Sequence, residues 1–353
     1  MYNRSMESDS IEIQHIKLGL LGFGNVLKAF AELLPEKADI IRTHYGIEFS
    51  IVGIATNSHG IAINPKGIDP ITALEVDDLR SLHQGKTIPD AMSFVQQCPA
   101  DMILEAIWVN PKTGQPALDL CRAALQAGKH VITANKGPVA FGFRELNALA
   151  AQQNLGFFFE STVMDGTPLH SIGREALLAV EVTGIRGVLN STTNAILTHM
   201  EEGGSFEEAL REMQEAGVAE ANPSNDIDGW DAAIKIVILA NTLMGADLRP
   251  DDVDREGIRE VTYEDIQAAV DDGMTLKLVC EAYRDEDGIV QASVQPTTVE
   301  PDDPLAWLDD TASAVTIFTD VIEEITIREG PASPRTTAYG MLVDAINITR
   351  GRR

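Results

Sequence analysis

The chain is short of three things, and each shortage excludes a class of protein. Cysteine is scarce: 353 residues carry only Cys98, Cys121 and Cys280. An odd number at wide spacing, with no CxxC pair and no Cys/His cluster, excludes a secreted disulfide scaffold and gives no zinc signature. Positive charge is scarce too. Lysine and arginine number 27 against 54 aspartates and glutamates, a formal charge of −27. An acidic surface repels phosphate and lacks the cations that displace its counterions, so neither nucleic acid nor an anionic membrane is an expected partner. Its ordinary consequence is solubility. Long apolar runs are the third shortage. The longest, Ile234 to Leu243, is interrupted by Lys235 and falls well below the roughly 20 residues of a membrane-spanning helix. The opening MYNRSMESDSIEIQH has no apolar segment of the signal-peptide kind, so a cytoplasmic location is expected. There is also no GxSxG, HExxH or Walker loop, which leaves esterase, zinc-protease and nucleoside-triphosphatase chemistry without support.

What is present is enough for a sizeable core. Apolar residues make up 44% of the chain and charged residues 23%, and at roughly 100–200 residues per domain the length suggests two domains. In the first part, apolar runs alternate with helical patterns. Residues 16–21 (IKLGLL) read as a strand, ending in Gly22-Phe23-Gly24-Asn25, and a helical spacing of Val26, Leu27, Phe30, Leu33 and Leu34 follows. Residues 48–55, 101–107, 130–135 and 156–162 read as further strands, with helices over 116–127 and 144–153. Strands alternating with helices predict βαβ units and a parallel sheet. After about residue 160 the pattern becomes mixed. Helices are expected over 205–216, opened by a Ser205/Glu208 capping box and stopped by Gly217, over 231–244 and over 262–272. Strands are expected over 274–284, 289–300 and 315–328, and a last helix over 337–348. The expected fold class is α/β. A Rossmann-type parallel-sheet nucleotide-binding domain spans residues 1–158, rejoined by the C-terminal helix within 331–353, and residues 159–330 form an α+β catalytic and dimerisation domain.

Gly22-x-Gly24 after a strand and before a helix is the start of a dinucleotide fingerprint. The first glycine allows a tight turn, and the second lets the backbone approach a pyrophosphate at the helix N-terminus. The third glycine is replaced by Leu27. The second strand ends Ala55-Thr56-Asn57-Ser58-His59-Gly60, with neither the carboxylate that reads a ribose nor an arginine that reads its phosphate, so these residues do not choose between NAD and NADP. Asp231 and Lys235, four apart, share one face of a helix that is otherwise apolar. A lysine there is costly unless it is paired or faces a cleft, and a desolvated lysine suits acid catalysis. A buried structural pair is the plainer alternative. The acidic loop before it, residues 219–229, suits an ammonium group or a cation; its plainer alternative is a solvated turn in which Asp226 or Asp228 caps a helix. Lys136 follows a strand where parallel sheets bind ligands, though an exposed loop lysine would look the same.

Together the stretches GLLGFGNV, AGKHVITANKGPVA, FFFESTVMDGTPL, GVLNSTTNAIL and AGVAEANPSNDIDGWDAAIK resemble the homoserine dehydrogenase family over roughly residues 15–350. The last is the most specific, with Glu220, Pro223, Asp226, Gly229, Asp231 and Lys235 at the family's positions. The length resembles the short, single-function form, with no room for a kinase or regulatory domain. The resemblance implies reduction of aspartate 4-semialdehyde to homoserine with NADH or NADPH, in the threonine and methionine branch of amino-acid biosynthesis. It implies that Lys235 gives a proton to the substrate oxygen while Asp231 orients it, that Glu220 holds the substrate ammonium with Asp226 nearby, and that Lys136 sits by cofactor and substrate. Gly22, Phe23, Gly24, Asn25 and Val26 would line the pyrophosphate. Main-chain oxygens at Glu160, Val163, Asp165 and Thr167 would hold a monovalent cation, sodium or potassium. A homodimer is implied as well.

Three features depart from the family's pattern: Leu27, Trp108 in place of a small hydroxyl residue, and Gly330-Pro331-Ala332-Ser333-Pro334 in place of a glycine-rich turn. They leave two other readings open, a related dehydrogenase of another small amino or hydroxy aldehyde, and a cofactor-binding sensor without turnover.

Overall fold

The alternating apolar runs of the first half fold into a sheet covered by helices on both faces. A computed structural model describes residues 12–215 and 222–352. In chain order come β1 (Gln14–Leu21), α1 (Asn25–Tyr45), β2 (Ile47–Ala55), β3 (Ile61–Ile63), α2 (Pro70–Glu75) and α3 (Ala91–Gln97). They are followed by β4 (Met102–Glu105), α4 (Ala117–Gln126), β5 (His130–Thr133), α5 (Lys136–Gln152) and β6 (Phe157–Phe158). The sheet order is β3-β2-β1-β4-β5-β6. All pairs are parallel except β3 against β2. That antiparallel edge is too short to show in the sequence pattern.

The second half runs α6 (Leu169–Glu175), β7 (Val182–Val188), α7 (Ser191–Glu201), α8 (Phe206–Glu215), α9 (Ser224–Ile227), α10 (Trp230–Leu243) and β8 (Asp254–Arg255). It continues with α11 (Tyr263–Asp271), β9 (Thr275–Arg284), β10 (Val290–Val299), β11 (Ser313–Thr319), β12 (Ile325–Glu329) and α12 (Pro334–Thr349). Its sheet order is β12-β11-β7-β9-β10-β8, antiparallel except for β8 beside β10. Helix α10 lies between this sheet and α5 of the first half. Being covered on both sides, it is apolar nearly all round, with Ala232, Ala233, Ile236, Val237, Ile238 and Leu239 buried.

The two-residue period of the strands sorts the first core. Leu18 and Leu20 pack with Phe30 of α1 and Met341 of α12, while Leu21 and Ile103 pack with Phe94, Leu118 and Val131 on the other face. Leu27, at the third fingerprint position, is fully buried in the first of these clusters. Its side chain fills the space under α1 instead of blocking the turn, a burial worth about 1.5–3 kcal/mol. The strand order reverses at β1, with β2 on one side and β4 on the other, which opens a crevice beyond the carboxyl ends of the strands.

Three local expectations change, and two elements were not anticipated. The run 315–328 is a hairpin, β11 and β12, because the acidic segment between them turns back. Helix α5 begins at Lys136, not Arg144; Gly137 and Pro138 disguise a helix start, although proline lacks a donor that the first turn does not need. The strand over 156–162 shrinks to Phe157–Phe158, and Glu160–Thr162 form a short 3-10 turn. The two-glycine strand β7 and the helix α7 had no clear pattern. The Ser205/Glu208 capping box is present, while Gly217 lies outside the described residues. Among the described residues no helix is long and apolar enough to cross a membrane.

Candidate active site

Two cavities open where the strands of the first sheet end. The larger, about 1160 Å³, is lined by residues 21–24, 55–61 and 106–108 among others. Gly22 has φ 103°, and a Cβ there would lie 2.6 Å from the Ala106 carbonyl oxygen, so only glycine turns this closely against the next strand. A Cβ on Gly24 would meet nothing within 4 Å. No side chain caps the N-terminus of α1, which leaves its first N–H groups and the positive end of its dipole for an anion. These residues fit a dinucleotide pyrophosphate. Gly22, Phe23 and Gly24 line the cleft; Asn25 and Val26 open α1 beside it, outside the lining.

The smaller cavity, about 250 Å³, lies between the first sheet and α10, and Lys136, Asp226, Trp230 and Asp231 line it. The two cavities adjoin through the segment after β4, with Trp108 on the larger and Val109 on the smaller. Here the sequence-expected residues meet. The Asp231 carboxylate receives Lys235 Nζ at 2.9 Å and Lys136 Nζ at 3.2 Å, one on each oxygen. Lys235 Nζ also donates to the Leu189 carbonyl at 2.6 Å. Asp231 sits in the first turn of α10, where the helix dipole favours a carboxylate. Burial pushes its pKa up, but Lys235, Lys136 and Asn190 overcome that and hold it below the usual carboxylate range. For Lys235 burial works the other way, yet the charge and hydrogen bond of Asp231 leave its pKa above the ordinary lysine value. Asp226 is raised, first by burial and then by Asp231. Neither Asp226 nor Asp228 caps α10. Gly229 occupies that position, and Asp228 pairs with Arg259 at 2.7 Å.

Two polar residues join the site that spacing did not reveal. Asn190 caps α7, its Oδ1 accepting from Thr193 N at 2.9 Å. Its Nδ2 donates to Asp226 at 2.7 Å and to Asp231 at 2.9 Å. Glu105, fully buried at the end of β4, accepts from Thr133 Oγ1 and Asn135 Nδ2, each at 2.6 Å, and from Ile107 N at 2.8 Å. It therefore fixes the turn that presents Lys136. A charge at the end of the apolar run DMILE was the available signal for Glu105; Asn190 had none, because its partners lie 36 and 41 residues away. Glu220 lies outside the described residues.

The segment 160–167 commits its acidic side chains elsewhere. Glu160 is buried and accepts from the backbone N–H groups of His170 and Ser171. Asp165 accepts from Ser333 N at 2.9 Å and Thr336 Oγ1 at 2.8 Å. Thr167 O accepts from Leu169 N at 2.7 Å, and Val163 is fully buried. Among the described residues no group of three or more His, Cys, Asp or Glu side chains is arranged to hold a metal.

Known proteins resemble the chain over nearly its full length. A family profile described as homoserine dehydrogenase matches residues 168–346. The NAD(+)-dependent homoserine dehydrogenase of Pseudomonas canavaninivorans is 39% identical over 338 residues, covering 94% of this chain and 96% of that one. The chain belongs to the homoserine dehydrogenase family. The homoserine dehydrogenase of Methanocaldococcus jannaschii is 36% identical, over 93% of this chain and 97% of its own. A solved hyperthermophilic archaeal homoserine dehydrogenase in complex with NADPH superposes with a TM-score of 0.80 at 29% identity, covering 96% of this chain and 98% of its own. Within this family the chain's departures find local explanations. Leu27 is core. Trp108 stands 77% exposed at the rim of the larger cleft. The turn over residues 330–334 is pinned by Asp165 and by the Ser333 cap of α12, and it does not line that cleft.

Proposed function

We propose that the chain interconverts aspartate 4-semialdehyde and homoserine with NADH or NADPH, and that the Asp231–Lys235 pair carries the reading: Asp231 lines the smaller cavity, and Lys235, which lines neither cavity, is paired to it at 2.9 Å. A nicotinamide bound in the larger cleft supplies the hydride. The chain's own residues handle the proton. The Lys235 ammonium has three N–H groups; one is given to Asp231 and one to the Leu189 carbonyl, so the third remains for the substrate oxygen. As the carbonyl carbon accepts hydride, negative charge grows on that oxygen, and the Lys235 proton passes to it to complete the alcohol. Asp231 keeps the ammonium protonated and aimed. Lys136, on the other oxygen of Asp231, stands beside the substrate. Asp226, with Glu220, supplies negative charge for the substrate ammonium.

The test is the initial rate of NADH and NADPH oxidation with aspartate 4-semialdehyde. Lys235→Ala is expected to bind cofactor as before and to lose at least about a hundredfold in kcat, the usual range for a removed general acid. An equally active variant removes Lys235 from this role. We further propose a cytoplasmic homodimer that holds sodium or potassium on main-chain oxygens of Glu160, Val163, Asp165 and Thr167, neutral hard donors that suit such an ion. Light scattering should give the mass of two chains. Rates equal in potassium, sodium and choline buffers would count against the ion.

A further inference from the structure

The sequence at the end of β2 offers no residue that distinguishes NAD from NADP, but the folded chain brings one from elsewhere. Arg80 lies 25 residues beyond the last residue of β2, in the 3-10 turn Leu79–Leu82. The backbone of that turn is tied to the β2–β3 loop by Leu79 N donating to His59 O at 2.9 Å. The stem of Arg80 rests on Gly60: a Cβ there would lie 2.7 Å from Arg80 Cγ and 3.2 Å from its Nε. Arg80 thus lines the larger cleft beside Asn57, Ser58 and His59. In a doubly wound fold this is the end of the crevice where the adenosine ribose lies, since the pyrophosphate occupies the first glycine turn.

The guanidinium is also oriented. Asp78 takes its Nε at 2.9 Å and its Nη2 at 2.9 Å. Those two nitrogens form one edge of the fork. The other edge, Nη1 with Nη2, keeps donors for a second anion, the two-pronged geometry that matches a phosphate. Asp78 itself caps the turn, accepting from Arg80 N at 2.9 Å, and does not line the cleft. The carboxylates that do line it are engaged: Asp90 caps α3 through Ser93 N at 2.7 Å, and Asp119 pairs with Arg122. The lysine ammonium on the cleft, Lys28, belongs to the first turn of α1, on the pyrophosphate side.

Resting on the reading of this cleft as the cofactor site, we propose that Arg80 receives the 2′-phosphate of the adenosine ribose and makes the 2′-phosphorylated dinucleotide, NADPH, the preferred cofactor. Asn57 and Ser58 line the same end of the cleft as uncharged residues, and no carboxylate stands at the end of β2 to repel the phosphate.

The experiment measures dissociation constants of NADPH and NADH, and of the fragments 2′,5′-ADP and 5′-AMP, by calorimetry on the full chain. The unaltered protein is expected to bind NADPH at least tenfold tighter than NADH, and 2′,5′-ADP tighter than 5′-AMP. Arg80→Gln should weaken NADPH at least tenfold and leave NADH within twofold. Asn57→Asp, which restores a carboxylate at the end of β2, should weaken NADPH in the same way through a different residue. Equal or tighter NADH binding by the unaltered protein overturns the proposal, as does an Arg80→Gln loss that is the same for both dinucleotides. Failure to bind either dinucleotide overturns it together with the cofactor reading of the cleft. Discrimination that follows Arg80 without any turnover of aspartate 4-semialdehyde supports the proposal and rejects only the assigned reaction.

Discussion

Lys235 is held in a state that its surroundings alone would not give. Burial disfavours the ammonium, and the Asp231 carboxylate at 2.9 Å more than offsets it. The balance makes a sign prediction. Asp231→Asn removes the largest group raising the Lys235 pKa, so the ammonium should give up its proton at a lower pH. The alkaline fall in reduction rate is expected to move to lower pH, while homoserine oxidation, which needs the neutral amine as base, should persist to lower pH. Rate–pH profiles in both directions check this, and unmoved profiles would separate Asp231 from the proton's control. The substitution should also cost stability, because it leaves Lys235 buried with its charge uncompensated, a loss of about 3–5 kcal/mol for buried pairs.

Among the elements, α7 has the double task. Its cap residue Asn190 closes the helix through Oδ1 and holds Asp226 and Asp231 through Nδ2. Loss of a cap costs about 1 kcal/mol, and loss of a donor between two buried carboxylates adds about 1–3 kcal/mol. Asn190→Ala should therefore lower both the denaturation midpoint and kcat. Asn190→Ser keeps a capping oxygen but no amide, so it should recover about 1 kcal/mol of stability and little activity. Full recovery of both by serine would show that the amide contacts do not matter. The helix α10 was legible from its apolar faces and its Asp231/Lys235 spacing. The start of α5 was not, because Gly137 and Pro138 carry little helical preference and are held there by tertiary contact.

At the scale of the molecule, α12 returns from the second sheet to cover the first, and its one carboxyl is buried. Asp344 is fully buried, accepts from Glu160 N at 2.8 Å, and has Arg174 at 4.0 Å. Burial, and then the neighbouring Glu160, push its pKa well above the aspartate value. The folded state therefore keeps a proton that the unfolded chain releases near pH 4. Its contribution to stability is present at acid pH and declines as pH rises from there toward the folded pKa. Asp344→Asn cannot titrate, so the difference in Tm between variant and unaltered protein should move in the variant's favour from pH 5 to pH 8. A constant difference across that range would mean that Asp344 is already ionised in the fold.

The sequence by itself determined the broad outline: a parallel α/β sheet, a mixed second half, a glycine turn between the first strand and the first helix, and an Asp–Lys pair on one helix face. Each of these is local, written in periods of two and 3.6 residues or in spacings under ten residues, and local patterns survive being read one residue after another. Only the tertiary structure decided which groups share a site. Lys136 meets Asp231 across 95 positions, Asn190 bridges two carboxylates, Glu105 sets the turn before Lys136, and Arg80 reaches the end of β2 from a separate turn. Those meetings depend on how the two sheets and α10 pack, and packing joins residues that no period along the chain relates. The same holds for Leu27. Its sequence position marked a departure from the glycine fingerprint, and its burial under α1 makes it part of the core.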